Sequence, residues 1–492
     1  MKFCTYTLGC KVNQFETQAI ENMLIGRGHT LHKVGTGCDV CIINTCAVTA
    51  ESGRKSRQAI RRIRLLEPNA LMAVCGCYTQ LDPNAAASIG ADVIGGSGNR
   101  LRFADEVEKK AANADEWGSI IPETCHGPED DNPKGGACES ESTTGNLVVV
   151  GSPLEWTTFE ELPPGATSGR TRALLKIQDG CDNFCTYCVV PHVRGRVRSL
   201  PINAAAAQAR QLSAQGYKEI VITGIEISSY GKDLGGSGQN AATLTDDVGA
   251  KANASTLTGT VGAKANVATL TGVVRAIANA APDARLRLGS LDPRVVTESF
   301  CRELQDVNNL CGHFHLSLQS GCDHTLRRMG RKYDTATVRN AVALLRRAFP
   351  DCGITADLIT GFPGETAADF QTTLCFITDI GFSGMHIFPY SQRPGTPAAV
   401  MDGQVDKEIR QDRARIASIA AKEMALEFRR SQIGRTVSVL FERKRDGFWS
   451  GHSENYIEVS VKTGGSRNTV SDVLITEVSG DTAWGLIKDA NH

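Results

Sequence analysis

Cys181, Cys185 and Cys188 lie in Gly180-Cys181-Asp182-Asn183-Phe184-Cys185-Thr186-Tyr187-Cys188, with three and then two residues between the thiols. A four-iron, four-sulfur cluster calls for four thiolates. A loop that supplies only three leaves one iron open to an incoming ligand. Structural zinc is an alternative for the same thiols, with His192, four residues past Cys188, as fourth ligand. A disulfide framework fits less well, because 17 cysteines in 492 residues is far below the density of small secreted scaffolds. Nothing near the N-terminus looks like a signal peptide. Reduced thiols and a cytoplasmic location are expected.

A second set of thiols follows three apolar runs. Lys2 to Leu8 leads into Gly9-Cys10, Val40 to Ile43 leads through Asn44-Thr45 into Cys46, and Leu71 to Cys75 leads into Gly76-Cys77. Spacings of 36 and 31 residues suit one strand-helix unit each. In a parallel sheet the ends of such strands lie together at the ligand crevice, so the three thiols can meet on one metal. Cys75 points to the other side of an extended strand and is expected in the core. The alternative is that Cys10, Cys46 and Cys77 are themselves buried structural cysteines.

The elements that must position these thiols read as an α/β protein. Residues 1–112 alternate strands and helices as a parallel α/β domain, and 113–167 form an insert and linker. Residues 168–405 carry six strand patterns, at 174–177, 219–224, 285–289, 313–318, 353–360 and 384–388, separated by helical stretches. That count predicts a partial (β/α)6 barrel with its site at the C-terminal strand ends. Residues 406–432 are a helical connector, and 433–492 alternate as a small all-β barrel. The acidic, Gly/Ser-rich part of the first insert, with Cys125 and Cys138, reads as a surface excursion. Residues 235–272 hold a 13-residue tandem repeat, which reads as a duplicated loop without a catalytic role.

The net charge of −1 gives no whole-molecule sign of nucleic acid, but basic clusters flank the cysteines. Arg54, Lys55, Arg57, Arg61, Arg62 and Arg64 crowd one helix, and Arg194, Arg196 and Arg198 follow the cysteine loop. Such clusters suit a phosphate-bearing substrate, with Arg194 and Arg196 placed to meet a carboxylate or phosphate. No apolar run reaches the ~18 residues of a membrane helix.

Thr7-Leu8-Gly9-Cys10-Lys11-Val12-Asn13, Asn44-Thr45-Cys46-Ala47-Val48-Thr49 and Gly76-Cys77-Tyr78-Thr79-Gln80 recur in order with the loop ending Tyr187-Cys188. Thr223-Gly224-Ile225, Ser229 to Leu234, His315 to Gly321 and Gly361 to Thr366 follow. Together these segments resemble the radical S-adenosylmethionine methylthiotransferases, which insert a methylthio group at an unactivated carbon.

The resemblance implies two 4Fe-4S clusters. Cys181, Cys185 and Cys188 would hold the one that binds and cleaves S-adenosylmethionine, and Cys10, Cys46 and Cys77 an auxiliary one that carries sulfur. Glu226 stands where such enzymes contact the cofactor amine. Ser290, Ser317 and Gln319, near predicted strand ends, join it as an expected S-adenosylmethionine pocket. The C-terminal barrel looks like a TRAM domain, an RNA-binding module, with Phe448, Trp449 and Tyr456 beside Arg443, Lys444 and Arg445 expected to stack on bases and pair with phosphates.

Family members modify adenosine 37 of tRNA, carrying an isopentenyl or a threonylcarbamoyl group, or an aspartate of a ribosomal protein. The wording around Thr223 to Leu234 resembles the bacterial threonylcarbamoyladenosine branch most. A tRNA substrate, an electron donor such as flavodoxin or ferredoxin, and a monomer are expected. A zinc-containing RNA-binding protein without catalysis is the contrasting reading.

Overall fold

The computed structural model describes residues 1–113, 147–165, 170–234 and 268–488. Most of the expected 113–167 insert and nearly all of the tandem repeat lie outside these residues. The third start of the repeat is described: the Thr269 side chain caps the helix Leu270–Ala280 by accepting from Gly272 N.

Six parallel strands form the N-terminal sheet, in the order Thr30–Leu31, Lys2–Thr7, Val40–Thr45, Leu71–Gly76, Val93–Gly95, Leu147–Val149. Val40–Thr45 and Leu71–Gly76 are buried at every position, as expected of strands covered by helices on both faces. The crossover helices are Lys11–Gly26 and Ala50–Leu66. The second begins with a capping box between Thr49 and Ser52. It buries Ala59, Ile60 and Ile63 and turns Arg54, Arg61 and Arg62 to solvent.

The centre is the six-stranded partial barrel expected from the sequence. Its strands are Arg172–Asp179, Glu219–Gly224, Arg285–Leu288, His313–Gln319, Gly353–Thr360 and Gly384–Pro389, and helices intervene. Hydrogen bonding runs through the first three strands and, separately, through the last three. Among the described residues the first and last strands do not pair, so the barrel is open on one side. The helix Lys11–Gly26 covers that side, and its Phe15 and Ala19 pack on Leu174 and Val221 of the first two strands. On the far edge Ala50 N donates to Ser391 Oγ at 3.1 Å. The N-terminal unit and the partial barrel thus enclose a chamber.

A closed five-stranded barrel follows the helix Lys407–Arg430, built from Thr436–Arg445, Phe448–Ser453, Glu458–Val461, Val470–Ser479 and Thr482–Ile487. Its last strand escaped the sequence pattern, being a short run with one glycine. Val437, Val439, Phe441, Val459 and Ile475 form its core. It docks beneath the central barrel through two arginines, Arg287 buried and Arg285 largely so. Arg285 donates to the carbonyls of Ser438 and His452, both at 2.7 Å, and Arg287 to those of Ser453 and Glu454, both at 3.0 Å. Glu219 neutralises both guanidinium groups at 2.6 and 2.8 Å. Among the described residues no helix is long and apolar enough to cross a membrane.

Candidate functional site

Cys10, Cys46 and Cys77 each stand just past a strand of the N-terminal sheet: Cys10 caps the helix Lys11–Gly26, Cys46 follows Val40–Thr45, and Cys77 opens a short helix. Their approach depends on two glycines. A Cβ at Gly9, whose φ is +104°, would fall 3.0 Å from Cys46 Sγ, and one at Gly76, whose φ is +114°, would fall 2.3 Å from Thr45 O. Burial raises the pKa of all three thiols, each lies in the field of another, and Arg194 faces them. All three are free. Three soft donors facing one another, with no fourth protein ligand among the described residues, fit an iron-sulfur cluster with an open iron better than a closed zinc site. Cys75 is fully buried in the sheet core, as expected.

Cys181, Cys185 and Cys188 wrap the end of the first barrel strand, with Phe184 at φ 49° making the turn. Burial pushes Cys181 up to about 11 and Cys188 up to about 12. Val190 N donates to Cys188 Sγ at 3.4 Å and Arg331 Nη1 to Cys185 Sγ at 3.2 Å. His192, the zinc alternative's fourth ligand, packs edge-on against Phe184 at 6.2 Å.

Glu226 lies beside this loop, next to Cys181. Burial first and the Asp292 carboxylate second raise its pKa, and its backbone N donates to Gln178 Oε1 at 2.8 Å. Ser317 lies on the chamber wall, and its carbonyl accepts from Tyr333 Oη and from Arg331 Nη2. Gln319 ends that strand at φ 67°, where the pairing register shifts. Ser290 is exposed on a short strand opposite His315.

Two arginines absent from the sequence reading complete the arrangement. Arg331 arrives from beyond the fourth strand to bond Cys185 and to sit 3.7 Å from Asp292. Arg393, on the loop after the last strand, faces Cys46, Cys77 and Cys188 together, so both thiol sets look onto one space. Its Nε is buried without an acceptor among the described residues. No spacing rule ties either arginine to a cysteine, because only closure of the barrel brings them there.

Arg194 has a different place from the substrate contact expected of it. It is 1% exposed and bonds Glu16 at 2.6 Å, Asn13 Oδ1 at 2.8 Å and Asp179 at 3.3 Å. Lys176 and Arg100 reach the same Glu16 at 3.1 and 2.8 Å. This buried network ties the sheet that presents Cys10 to the strand that presents Cys181. Arg196 is exposed, 3.6 Å from Asp182.

Arg443, Lys444 and Arg445 line the exposed end of the first small-barrel strand, with Lys444 6.0 Å from the Trp449 ring. Arg443 pairs with Glu458 at 2.5 Å, and Phe448 packs edge-on against Trp484. Tyr456 does not join them. At φ 69° it turns to the chamber floor, stacked on His313 at 4.5 Å and on His452 at 5.0 Å, with Arg287 4.8 Å away.

Residues 175–377 match the radical SAM superfamily and residues 2–95 match uncharacterized protein family UPF0004. The threonylcarbamoyladenosine tRNA methylthiotransferase MtaB of Thermotoga maritima is 33% identical, across 92% of this chain and 89% of its own length. Its namesake from Bacillus subtilis is 31% identical, across 96% of this chain and 92% of its own. Among solved structures, the radical S-adenosylmethionine methyltransferase TsrM from Kitasatospora setae, with cobalamin and a 4Fe-4S cluster bound, matches with TM-score 0.50 at 14% identity. It covers 91% of this chain and 77% of that chain, and the likeness is one of fold. With two relatives above 30% identity over nearly their full lengths, this chain belongs to the radical S-adenosylmethionine methylthiotransferase family.

Proposed function

We propose that the protein transfers a methylthio group to C2 of N6-threonylcarbamoyladenosine at position 37 of tRNA, giving 2-methylthio-N6-threonylcarbamoyladenosine. In this reading Cys181, Cys185 and Cys188 hold the cluster that binds S-adenosylmethionine, and Cys10, Cys46 and Cys77 hold the auxiliary cluster. The observation that carries it is the convergence of two three-thiol sets on one chamber, with Arg393 facing both. An aromatic C–H bond resists attack by a thiolate, so its carbon must be activated by one-electron chemistry while sulfur waits within reach. Bound S-adenosylmethionine and its cluster supply the first, and the auxiliary cluster the second.

The chain's own residues then have definite tasks. Glu226, with Asp292 beside it, offers negative charge next to Cys181 for the cofactor's ammonium group, and Ser290, Ser317 and Gln319 line the rest of its pocket. Arg331 fixes the Cys185 sulfur. The helix Lys11–Gly26, packed through Phe15 and Ala19 on the first two strands, backs the open side of the barrel and fixes Cys10 at its start. Arg443, Lys444, Arg445 and Phe448 form the RNA-facing patch of the TRAM-like barrel. The reading includes a flavodoxin- or ferredoxin-type electron donor and a monomer acting in the cytoplasm.

Mass spectrometry of tRNA nucleosides from a strain lacking the gene tests this. The methylthiolated nucleoside is expected to vanish, its precursor to accumulate, and only the wild-type gene, not Cys181→Ala, to restore it. Unchanged threonylcarbamoyl nucleosides would sink the substrate assignment and direct attention to isopentenyladenosine and to ribosomal proteins.

A further inference from the structure

Lys11 is the residue after Cys10 and the first of the helix that closes the barrel. Its side chain looks into the chamber, where it faces Tyr456, Arg287, Arg172 and Glu219 and, from the opposite wall, His313 and His386. Water reaches it there. Among the described residues it makes no hydrogen bond and no ion pair within 4 Å.

The carboxylates on that wall are already engaged. Glu219 is held by Arg285 at 2.6 Å and Arg287 at 2.8 Å. Glu442 is held by Arg172 at 2.8 Å and His452 at 2.6 Å, and Asp357 by His315 at 3.1 Å and His386 at 3.3 Å. The ammonium group is therefore a cation without an assigned anion, in an enclosed space, one residue from a thiol expected to carry the auxiliary cluster. A divalent metal on His315, Asp357 and His386, whose ligand atoms lie within 4.8 Å of one another, would stand in the field of that same ammonium group. The surroundings favour an anion over a second cation.

We propose that Lys11 is the specificity-determining residue of the chamber and binds the carboxylate of the threonylcarbamoyl group; the inference rests on the substrate reading given above. The chemistry of the base supports the placement. In adenine, C2 and the carbon bearing N6 flank the same ring nitrogen, so a substituent on N6 lies along the edge that presents C2. In this proposal, with C2 at the sulfur beside Cys10, the carboxylate on N6 is set against the neighbouring lysine. An ammonium-carboxylate pair in a partly dehydrated space is strong. An apolar N6 substituent would leave the ammonium group unpaired, and that penalty discriminates against it.

The test uses the reconstituted holoenzyme and two anticodon stem-loops, one bearing threonylcarbamoyladenosine and one with its carboxylate replaced by the amide. Wild type is expected to prefer the carboxylate by about 10-fold or more in kcat/KM. Lys11→Met should lose that preference, through KM, and Lys11→Arg should keep most of it. Equilibrium binding of the two stem-loops without reductant should show the same pattern independently of turnover. Iron and sulfide content checks that the clusters are intact, and Lys11→Gln replaces Lys11→Met if the latter loses iron. A wild type indifferent to the amide, or a neutral variant that still prefers the carboxylate, overturns the proposal. A wild type that modifies neither stem-loop and leaves cellular threonylcarbamoyl nucleosides untouched overturns the substrate reading and this subsite with it.

Discussion

Cys77→Ala and Cys185→Ala are each expected to abolish methylthiolated product and to lower the iron content of anaerobically reconstituted protein by about four atoms per chain, half of the total for two four-iron clusters. The two variants should fail differently. With Cys185→Ala, cleavage of S-adenosylmethionine should stop, since that thiol belongs to the set beside Glu226 and Arg331. With Cys77→Ala, 5′-deoxyadenosine should still be released on reduction while no sulfur reaches the base. Iron analysis, electron paramagnetic resonance and a 5′-deoxyadenosine assay read these outcomes separately. Should Cys77→Ala retain all its iron, or lose S-adenosylmethionine cleavage along with sulfur transfer, the division of labour between the two thiol sets would be wrong.

The second large effect concerns Glu16. Its carboxylate is 1% exposed and receives Arg100, Arg194 and Lys176. Removing one partner from a buried ion network strands uncompensated charge, at a cost of about 3–5 kcal/mol. Glu16→Gln leaves three buried cations short of an anion, with Asp179 as the carboxylate nearest to hand. A cost in that range is expected in urea unfolding monitored by tryptophan fluorescence, with early separation of the N-terminal unit from the barrel. A midpoint within error of wild type would show that the network does not hold the two together.

The same carboxylate sets an acid limit. Burial alone would raise the pKa of Glu16, but Arg194, Arg100 and Lys176 outweigh it and hold the group well below its usual range. Asp179, where Lys176, Arg194 and Arg198 likewise outweigh burial, is held at about 2. Groups with depressed folded-state pKa values contribute stability above the unfolded value, about 4 for carboxylates, and lose it as pH falls through the folded one. The docking network should therefore be indifferent to pH between neutrality and about 5 and weaken below about 4.

Both thiol sets were legible from residue spacing, because a short loop and three successive strand ends are local features that survive any uncertainty in packing. The six-strand count was legible for the same reason. Arg331 and Arg393 were not, since each faces cysteines contributed by another part of the chain, and Lys11 was not, since only the fold shows which groups surround its side chain. Arg194 misled for a further reason: sequence displays charge and hides burial, so a cation paired inside an interface reads like one waiting for phosphate. Tyr456 was grouped with the basic strand by its nearness in sequence, whereas a left-handed backbone at that residue turns it to the chamber floor.

That floor has a consequence for how RNA is presented. Arg285 and Arg287 grip two stretches of small-barrel backbone, at Ser438 and at His452 to Glu454, and a Cβ on Gly353 would already fall 2.1 Å from Asn455 O. A unit seated this closely has no arc to swing through. An anticodon arm lying on it would meet the chamber mouth at one fixed span, as against the jaw of a caliper, so the nucleotide to be altered would be chosen by how far it stands from the point of grip.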